Sequence, residues 1–221
     1  MTMLTVSMLL VALPHGTDAI THQQQRQALA QENGNNKNEK NEKNDNIFRI
    51  YENPAYGIQI QYPSTWIIYA GDTFSDNDAS IDIVSFLGPV KSDTKEYAPS
   101  LYISIENPRP PNLNLNLNEY LTRITNDYEA RLKEFKVIES NTNSILADKP
   151  AYKLVFTDEE DEIYYKTMDI GTIIGDKVYL LSYTEQREQY PDYLPTVQKM
   201  INSLNITTSN NGLDTGASSS V

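Results

Sequence analysis

Ile163-Tyr-Tyr-Lys-Thr-Met-Asp-Ile-Gly-Thr-Ile-Ile174, Gly175-Asp176 and Lys177-Val-Tyr-Leu-Leu-Ser-Tyr-Thr184 follow one another without a break. Two β-rich runs meeting at a two-residue Gly-Asp are the short-range signature of a β-hairpin. If the first strand is regular, Tyr164 and Tyr165 point to opposite faces, one into a core and one to the surface.

Working upstream, Ala151–Thr157 reads as a further strand behind a turn at Asp148-Lys149-Pro150, with Lys136–Glu139 before it. A helix is predicted from about Leu117 to Phe135. Leu117, Tyr120, Leu121, Ile124, Tyr128, Leu132 and Phe135 fall on one stripe, and Arg123, Asp127, Glu129, Arg131 and Glu134 lie opposite. Asn116 with Glu119 makes a capping-box-like start. Further upstream, Tyr56, Ile58, Ile60 and Tyr62 alternate with Gly57, Gln59 and Gln61, the period of a half-buried strand that Pro63 ends. Trp66–Tyr69, Ile81–Leu87 and Leu101–Ile105 follow as extended runs. Downstream of the hairpin, Leu194, Val197, Ile201 and Leu204 mark a last helix over about Asp192–Leu204, with Pro195 placed in its first turn. Four strands, a helix, four strands and a helix imply an α+β fold with a largely antiparallel sheet carrying helices on its faces.

The aromatic residues bound the domain. All 15 Tyr, all 5 Phe and the one Trp lie within residues 47–206. One domain of that size buries roughly 70% of the surface its unfolded chain exposes, enough for a core without cross-links, and the chain has no Cys. Residues 1–19 read as a signal peptide. The apolar run Met3–Leu13 is too short to span a bilayer, and small residues at Thr17 and Ala19 suit cleavage before Ile20. Residues 20–46 read as a disordered polar linker: of the 26 residues from Thr21 to Asn46, 12 are Asn or Gln. Residues 207–221 read as a disordered tail. The expected location is secreted or extracytoplasmic, peripheral to a membrane and without a transmembrane anchor in the mature chain.

Within 47–206 an ordered set of short segments carries a resemblance. They are Tyr51-Glu-Asn-Pro54, Tyr56-Gly-Ile58, Tyr62-Pro-Ser-Thr-Trp66, Lys149-Pro-Ala-Tyr152-Lys-Leu154, Gly175-Asp-Lys-Val-Tyr-Leu-Leu-Ser-Tyr183 and Met200-Ile-Asn-Ser203. In order and spacing they resemble the PsbP-like family, the fold of the extrinsic PsbP subunit of photosystem II and of exported prokaryotic relatives. The resemblance implies an α/β/α sandwich around an antiparallel sheet. It also implies a non-catalytic module that binds a partner protein or membrane-associated complex on the outer face. In photosynthetic members the domain docks on a membrane complex and supports retention of its calcium and chloride. The Asn-rich linker is similar to those of exported archaeal relatives. Each segment also has a fold role: Gly57 permits close backbone approach, Trp66 and Tyr152 are core aromatics, and Gly175 makes a turn.

Composition removes whole classes of chemistry from the domain. The only His are His15 and His22, outside it, so it contains neither His nor Cys. Ser-His-Asp and Cys-His catalysis, His or thiolate zinc sites and iron–sulfur clusters need those residues. Phosphate-binding glycine loops are missing as well. Residues 47–206 hold 14 Lys and Arg against 24 Asp and Glu, a net of −10, which repels nucleic acid and attracts cations or a basic partner.

Three local candidates remain. The alternation Asp76, Asp78, Ser80, Asp82 supplies oxygen ligands in the manner of a weak cation site, with calcium the one cofactor suggested. A calcium loop's Gly at the sixth place and Glu at the twelfth are replaced by Ile81 and Leu87. That set underlies the alternative reading, an exported cation- or small-ligand-binding domain. Asp158, Glu159, Glu160, Asp161 and Glu162 form an acidic hairpin tip that is a candidate surface for a basic partner. Asn205-Ile206-Thr207 is the single N-glycosylation sequon, used only where the host glycosylates exported proteins.

Overall fold

The computed structural model describes residues 47–71, 80–90, 98–107 and 116–207, and in it the Gly175-Asp176 hairpin forms as the sequence predicts. In chain order the strands are β1 (Phe48–Asn53), β2 (Ile58–Pro63), β3 (Ile67–Ala70), β4 (Ser80–Leu87) and β5 (Ser100–Glu106). Helix α1 (Leu117–Arg131) follows, then β6 (Lys133–Leu146), β7 (Lys149–Glu160), β8 (Ile163–Ile174) and β9 (Lys177–Gln186). Helix α2 (Tyr190–Asn202) and the two-residue β10 (Asn205–Ile206) close the order.

Seven strands form one sheet in the order β3-β4-β5-β9-β8-β7-β6, and every adjacent pair is antiparallel. β9 is bonded to β5 on one side and β8 on the other. Its apolar run from Val178 to Tyr183 is buried throughout, because both faces of the sheet are covered there. Val178 and Leu180 lie in the core beneath α1, with Tyr120, Leu121, Ile124, Tyr152, Leu154 and Phe156. Tyr179, Leu181 and Tyr183 point the other way, into the core shared with Ile58, Ile60 and Tyr62 of β2 and Val197, Met200 and Ile201 of α2. The fold is therefore α+β and layered as a sandwich, with α1 on one face of the main sheet and α2 on the other.

The structure adds one element to the expected sandwich. A second sheet, in the order β1-β2-β10, shares the α2 layer. Its β1 and β10 are edge strands, and the exposed positions of β1 break the alternation that would have marked it. Gly57 holds this sheet together at φ +66, in the turn between β1 and β2: a Cβ there would lie 1.8 Å from the carbonyl oxygen of Thr207. That close approach lets the Thr207 N–H donate to the Gly57 carbonyl at 2.8 Å, which fastens the chain beyond α2 onto β2.

Several boundaries differ from the sequence reading, the largest at β6, which runs Lys133–Leu146 where the sequence suggests Lys136–Glu139. Helix α1 stops at Arg131 rather than Phe135, since Leu132 is extended and its N–H closes on the Tyr128 carbonyl. The chain then enters β6 through a bulge with Glu134 at φ 52, so Leu132 reaches the same core from the α1 C-cap and Phe135 from β6 instead of from a helical turn. Helix α2 begins two residues early, at Tyr190, with Pro191 in the first turn, so Pro195 falls inside the helix rather than in that turn. Its missing N–H removes one intrahelical bond. Asn116 caps α1 as expected, its side chain accepting from the Glu119 N–H at 2.9 Å.

The hairpin turns carry their own strain. Ala147 and Asp148 (φ 48 and 60) link β6 to β7, one residue earlier than predicted, and Asp161 and Glu162 (φ 51 and 66) link β7 to β8. Two-residue turns with both φ positive match the twist of the flanking strands.

Gly57 and Gly175 share a left-handed φ but differ in surroundings, since nothing lies within 4 Å of a Cβ at Gly175. Gly175→Ala is expected to cost about 1 kcal/mol, the backbone term alone. Gly57→Ala must also displace the Thr207 carbonyl and is expected to cost at least twice as much. Urea melts of both variants check this, and equal losses would contradict it.

Candidate functional site

The sheet face beneath α1 is not purely apolar. β5 ends on Glu106, and β8 places Asp169 between Met168 and Ile170; these carboxylates are 5% and 1% exposed. The period of two sends Ser104 to the same face as Glu106, and Ser182 stands directly across from Asp169, so a polar strip runs under the helix. Two α1 tyrosines cap it. The Tyr120 hydroxyl donates to Glu106 Oε2 at 2.6 Å, and the Tyr128 hydroxyl donates to Asp169 Oδ2 at 2.9 Å. The bonds sit eight residues apart on α1, so the helix is tied to the sheet near both its ends.

Tyr152 of β7 completes the layer. Its ring lies over Gly171, its cross-strand partner on β8, where a Cβ would come within 2.5 Å of the ring. The Tyr152 hydroxyl faces that of Tyr120, whose own proton goes to Glu106, and it closes no hydrogen bond of good geometry. Burial first, then the nearby Glu106 and Asp169 carboxylates, push the hydroxyls of Tyr120, Tyr128 and Tyr152 well above the usual tyrosine range. They therefore stay protonated and act as donors. At the far end of the strip Tyr128, Phe135 and Phe156 pack ring against ring, with centroids 5.1 to 6.2 Å apart. Chemically this arrangement is a clamp: two buried carboxylates, each accepting from a phenol on the helix above.

A second buried carboxylate site lies on the opposite face. Glu185 of β9 is 1% exposed and stands across from Lys166 of β8, whose Nζ sits 4.6 Å from the centre of the Tyr190 ring. The Tyr183 hydroxyl donates to the Tyr190 carbonyl, and the Tyr193 hydroxyl donates to that of Pro89 at 2.6 Å, fixing the start of α2.

The sequence candidates fall elsewhere. Asp76 and Asp78 lie outside the described residues, and Ser80 and Asp82 lie on β4, half-buried, where a register shift follows Asp82. Among the described residues no three His, Cys, Asp or Glu side chains gather as a metal group. The acidic tip is divided between faces. Asp158 and Glu160 alternate with Glu159, which pairs with Lys133 across the β6–β7 ladder, while Asp161 and Glu162 occupy the turn and are exposed. Tyr165 is buried and Tyr164 is 41% exposed, the division expected of the Tyr pair, with the Arg187 guanidinium 5.0 Å above the exposed ring. Asn205 is exposed on β10.

Beside the tip runs β6, an outer strand of the main sheet, where Val137, Ile138 and Ile145 are 39, 53 and 63% exposed. Its pairing with β7 shifts register at three places, between Lys133 and Lys136, Val137 and Glu139, and Asn141 and Ser144. Such bulges break the regular row of backbone groups that another strand would need. Sequence reasoning passed over Glu106, Asp169 and their tyrosine partners. The available signal was a carboxylate set within an otherwise apolar strand, as Asp169 is between Met168 and Ile170.

No family profile and no curated protein matches this chain in sequence. Solved structures match its fold. The solution structure of cyanobacterial PsbP (CyanoP) from Synechocystis sp. PCC 6803 aligns with a TM-score of 0.52 at 13% identity, covering 77% of this chain and 98% of that one. A protein of unknown function, PA94, from Pseudomonas aeruginosa aligns at 0.51 and 13%, covering 73% and 99%. LpqN, involved in cell envelope biogenesis of Mycobacterium tuberculosis, aligns at 0.51 and 11%, covering 73% and 91%. The chain thus has a PsbP-like fold.

The clamp predicts an asymmetry between two tyrosines. Tyr120→Phe removes a hydrogen bond to a buried carboxylate and is expected to cost about 1.5–3 kcal/mol. Tyr152→Phe removes a buried hydroxyl without a well-formed bond and is expected to leave stability within about 1 kcal/mol of the parent or raise it. Guanidinium melts decide, and a Tyr152→Phe loss as large as that of Tyr120→Phe would contradict the clamp.

Proposed function

We propose that this domain is a non-catalytic, extracytoplasmic module that binds a partner protein, alone or within a membrane-associated complex, through the β6 edge and the neighbouring acidic tip. One observation carries the reading: β6 presents Val137 and Ile138 to solvent on the half of the strand that leads to the exposed Asp161 and Glu162 turn, while Ile145 is exposed at the strand's far end opposite Pro150. Apolar side chains beside charged ones have the anatomy of an interface core with its polar rim. The net charge of −10 over residues 47–206 makes the fitting partner one with an apolar centre and a basic rim. Because the bulges interrupt the edge, the partner engages side chains rather than adding a strand.

Two further facts support the setting. Among the described residues no helix is long and apolar enough to cross a membrane. One structure of the same fold belongs to a protein of cell envelope biogenesis, and another is a cyanobacterial PsbP. The buried Glu106 and Asp169 serve the packing of α1, so this reading assigns function to the surface.

Placing a photo-crosslinking residue at Ile138, and as a control at Gln59 on the outer face of the small sheet, tests the surface in the full chain in envelope fractions. The expected result is a discrete product from position 138 alone. It should fall at least tenfold when Asp161→Lys and Glu162→Lys are added, and fade with rising salt. An unchanged melting temperature of the double variant separates lost docking from lost folding. Equal products from both positions, or none from 138, would overturn the reading.

A further inference from the structure

We propose that Asn205 is a site of N-linked glycosylation, with the glycan standing on the outer face of the three-stranded sheet. The inference rests on the extracytoplasmic reading above and goes beyond it. The sequon Asn205-Ile206-Thr207 is laid along β10 so that the strand period separates its side chains: Ile206 is 7% exposed and belongs to the core, while Asn205 and Thr207 are exposed. An attached sugar at Asn205 is therefore compatible with the folded domain without moving any core group. The cross-strand neighbour of Asn205 is Gln59, which is also exposed and faces Glu52 across β1, so the surface around the attachment point is polar.

A second feature of this face gives the glycan a role. Ile50 of β1 is 57% exposed and pairs with Gln61, one step along the same outer face. A glycan rooted two strands away can lie over this side chain, roughly 12 Å distant by strand spacing and rise. Glycans are bulky and solubilising surface groups. The β6 edge belongs to the other sheet, so the same glycan leaves the proposed docking surface open.

The chemistry is a group transfer from a polyprenyl-diphosphate-linked oligosaccharide, the donor class used on N-x-Ser/Thr sequons by an oligosaccharyltransferase. The Asn205 Nδ2 attacks the anomeric carbon, a C–N bond forms as the anomeric C–O bond breaks, the polyprenyl diphosphate leaves, and the Nδ2 gives up one proton. In the folded domain the Thr207 hydroxyl lies 3.3 Å from the Gly57 carbonyl and donates to it, so Thr207 has a fold role that is separable from its sequon role.

The test uses the full chain isolated from its own producing cells after fractionation. Intact mass and peptide mapping are expected to show added hexose-containing mass on the Asn205 peptide in the exported fraction. Enzymatic release in heavy-oxygen water should convert Asn205 to a labelled Asp. Asn205→Gln and Thr207→Ala should abolish the added mass, while Thr207→Ser, which keeps a hydroxyl at the sequon's third place, should retain it. An exported protein with Asn205 wholly unmodified overturns the glycan and leaves the extracytoplasmic reading standing. A protein found only in the cytosol and unmodified overturns both. Added mass that persists in Asn205→Gln also overturns the assignment.

Discussion

Everything in this domain depends on β9 being covered on both faces while bonded on both edges. A strand in that position can carry no exposed side, so its run from Val178 to Tyr183 is apolar or small at every place and buried at every place. The alternation then assigns the two cores. Val178 and Leu180 require a helix above them, which α1 supplies, and Tyr179, Leu181 and Tyr183 require the layer made by α2 and the small sheet. The packing of α1 and α2, and through Gly57 and Thr207 the docking of β10, follow from filling those faces.

The interior is where this fold takes its electrostatic risk. Burying a carboxylate is costly unless it is hydrogen-bonded, and Glu106 and Asp169 are both nearly inaccessible. The tyrosines of α1 meet that cost by donating to them, and in doing so fix how α1 sits on the sheet. Gly171 makes room for the Tyr152 ring in the same layer. A layer filled this way holds the helix in one register, which an all-apolar face would specify less sharply. The outer strand β6 follows the opposite logic. Its bulges defend it against strand pairing while leaving Val137, Ile138 and Ile145 outward.

Where a segment is half-buried, its sequence shows it. Tyr56 to Tyr62 alternates because β2 has one wet face, and Leu117 to Tyr128 repeats at helical spacing because α1 packs along one stripe. Exposure on both sides erases that signal. The polar middle of β6, Ser140-Asn-Thr-Asn-Ser144, forms a strand because β7 pairs with it, and nothing in its own pattern required that. The end of α1 was hidden for a related reason: Leu132 and Phe135 serve the same core whether the chain continues as helix or turns into β6. Within the candidate surface, the acidic run was visible as charge, but its division by the strand period into Glu159, paired with Lys133, and an exposed turn required the register. Glu106 and Asp169 were visible as residues, and their phenol partners, fourteen and forty-one positions away, were not.

Packing on both faces of β9 makes the interior closed and structural, and native-state hydrogen exchange read residue by residue reports on that closure. Amides of β9, with those of β5 and β8 facing it, are expected to exchange only through global unfolding, those of α1 to be protected nearly as well, and outward-facing amides of β6 to exchange through small local openings. If α1 and β9 exchange as readily as β6 while the protein remains folded, the layer beneath α1 opens to solvent in the native state, and the account of a closed interior is wrong.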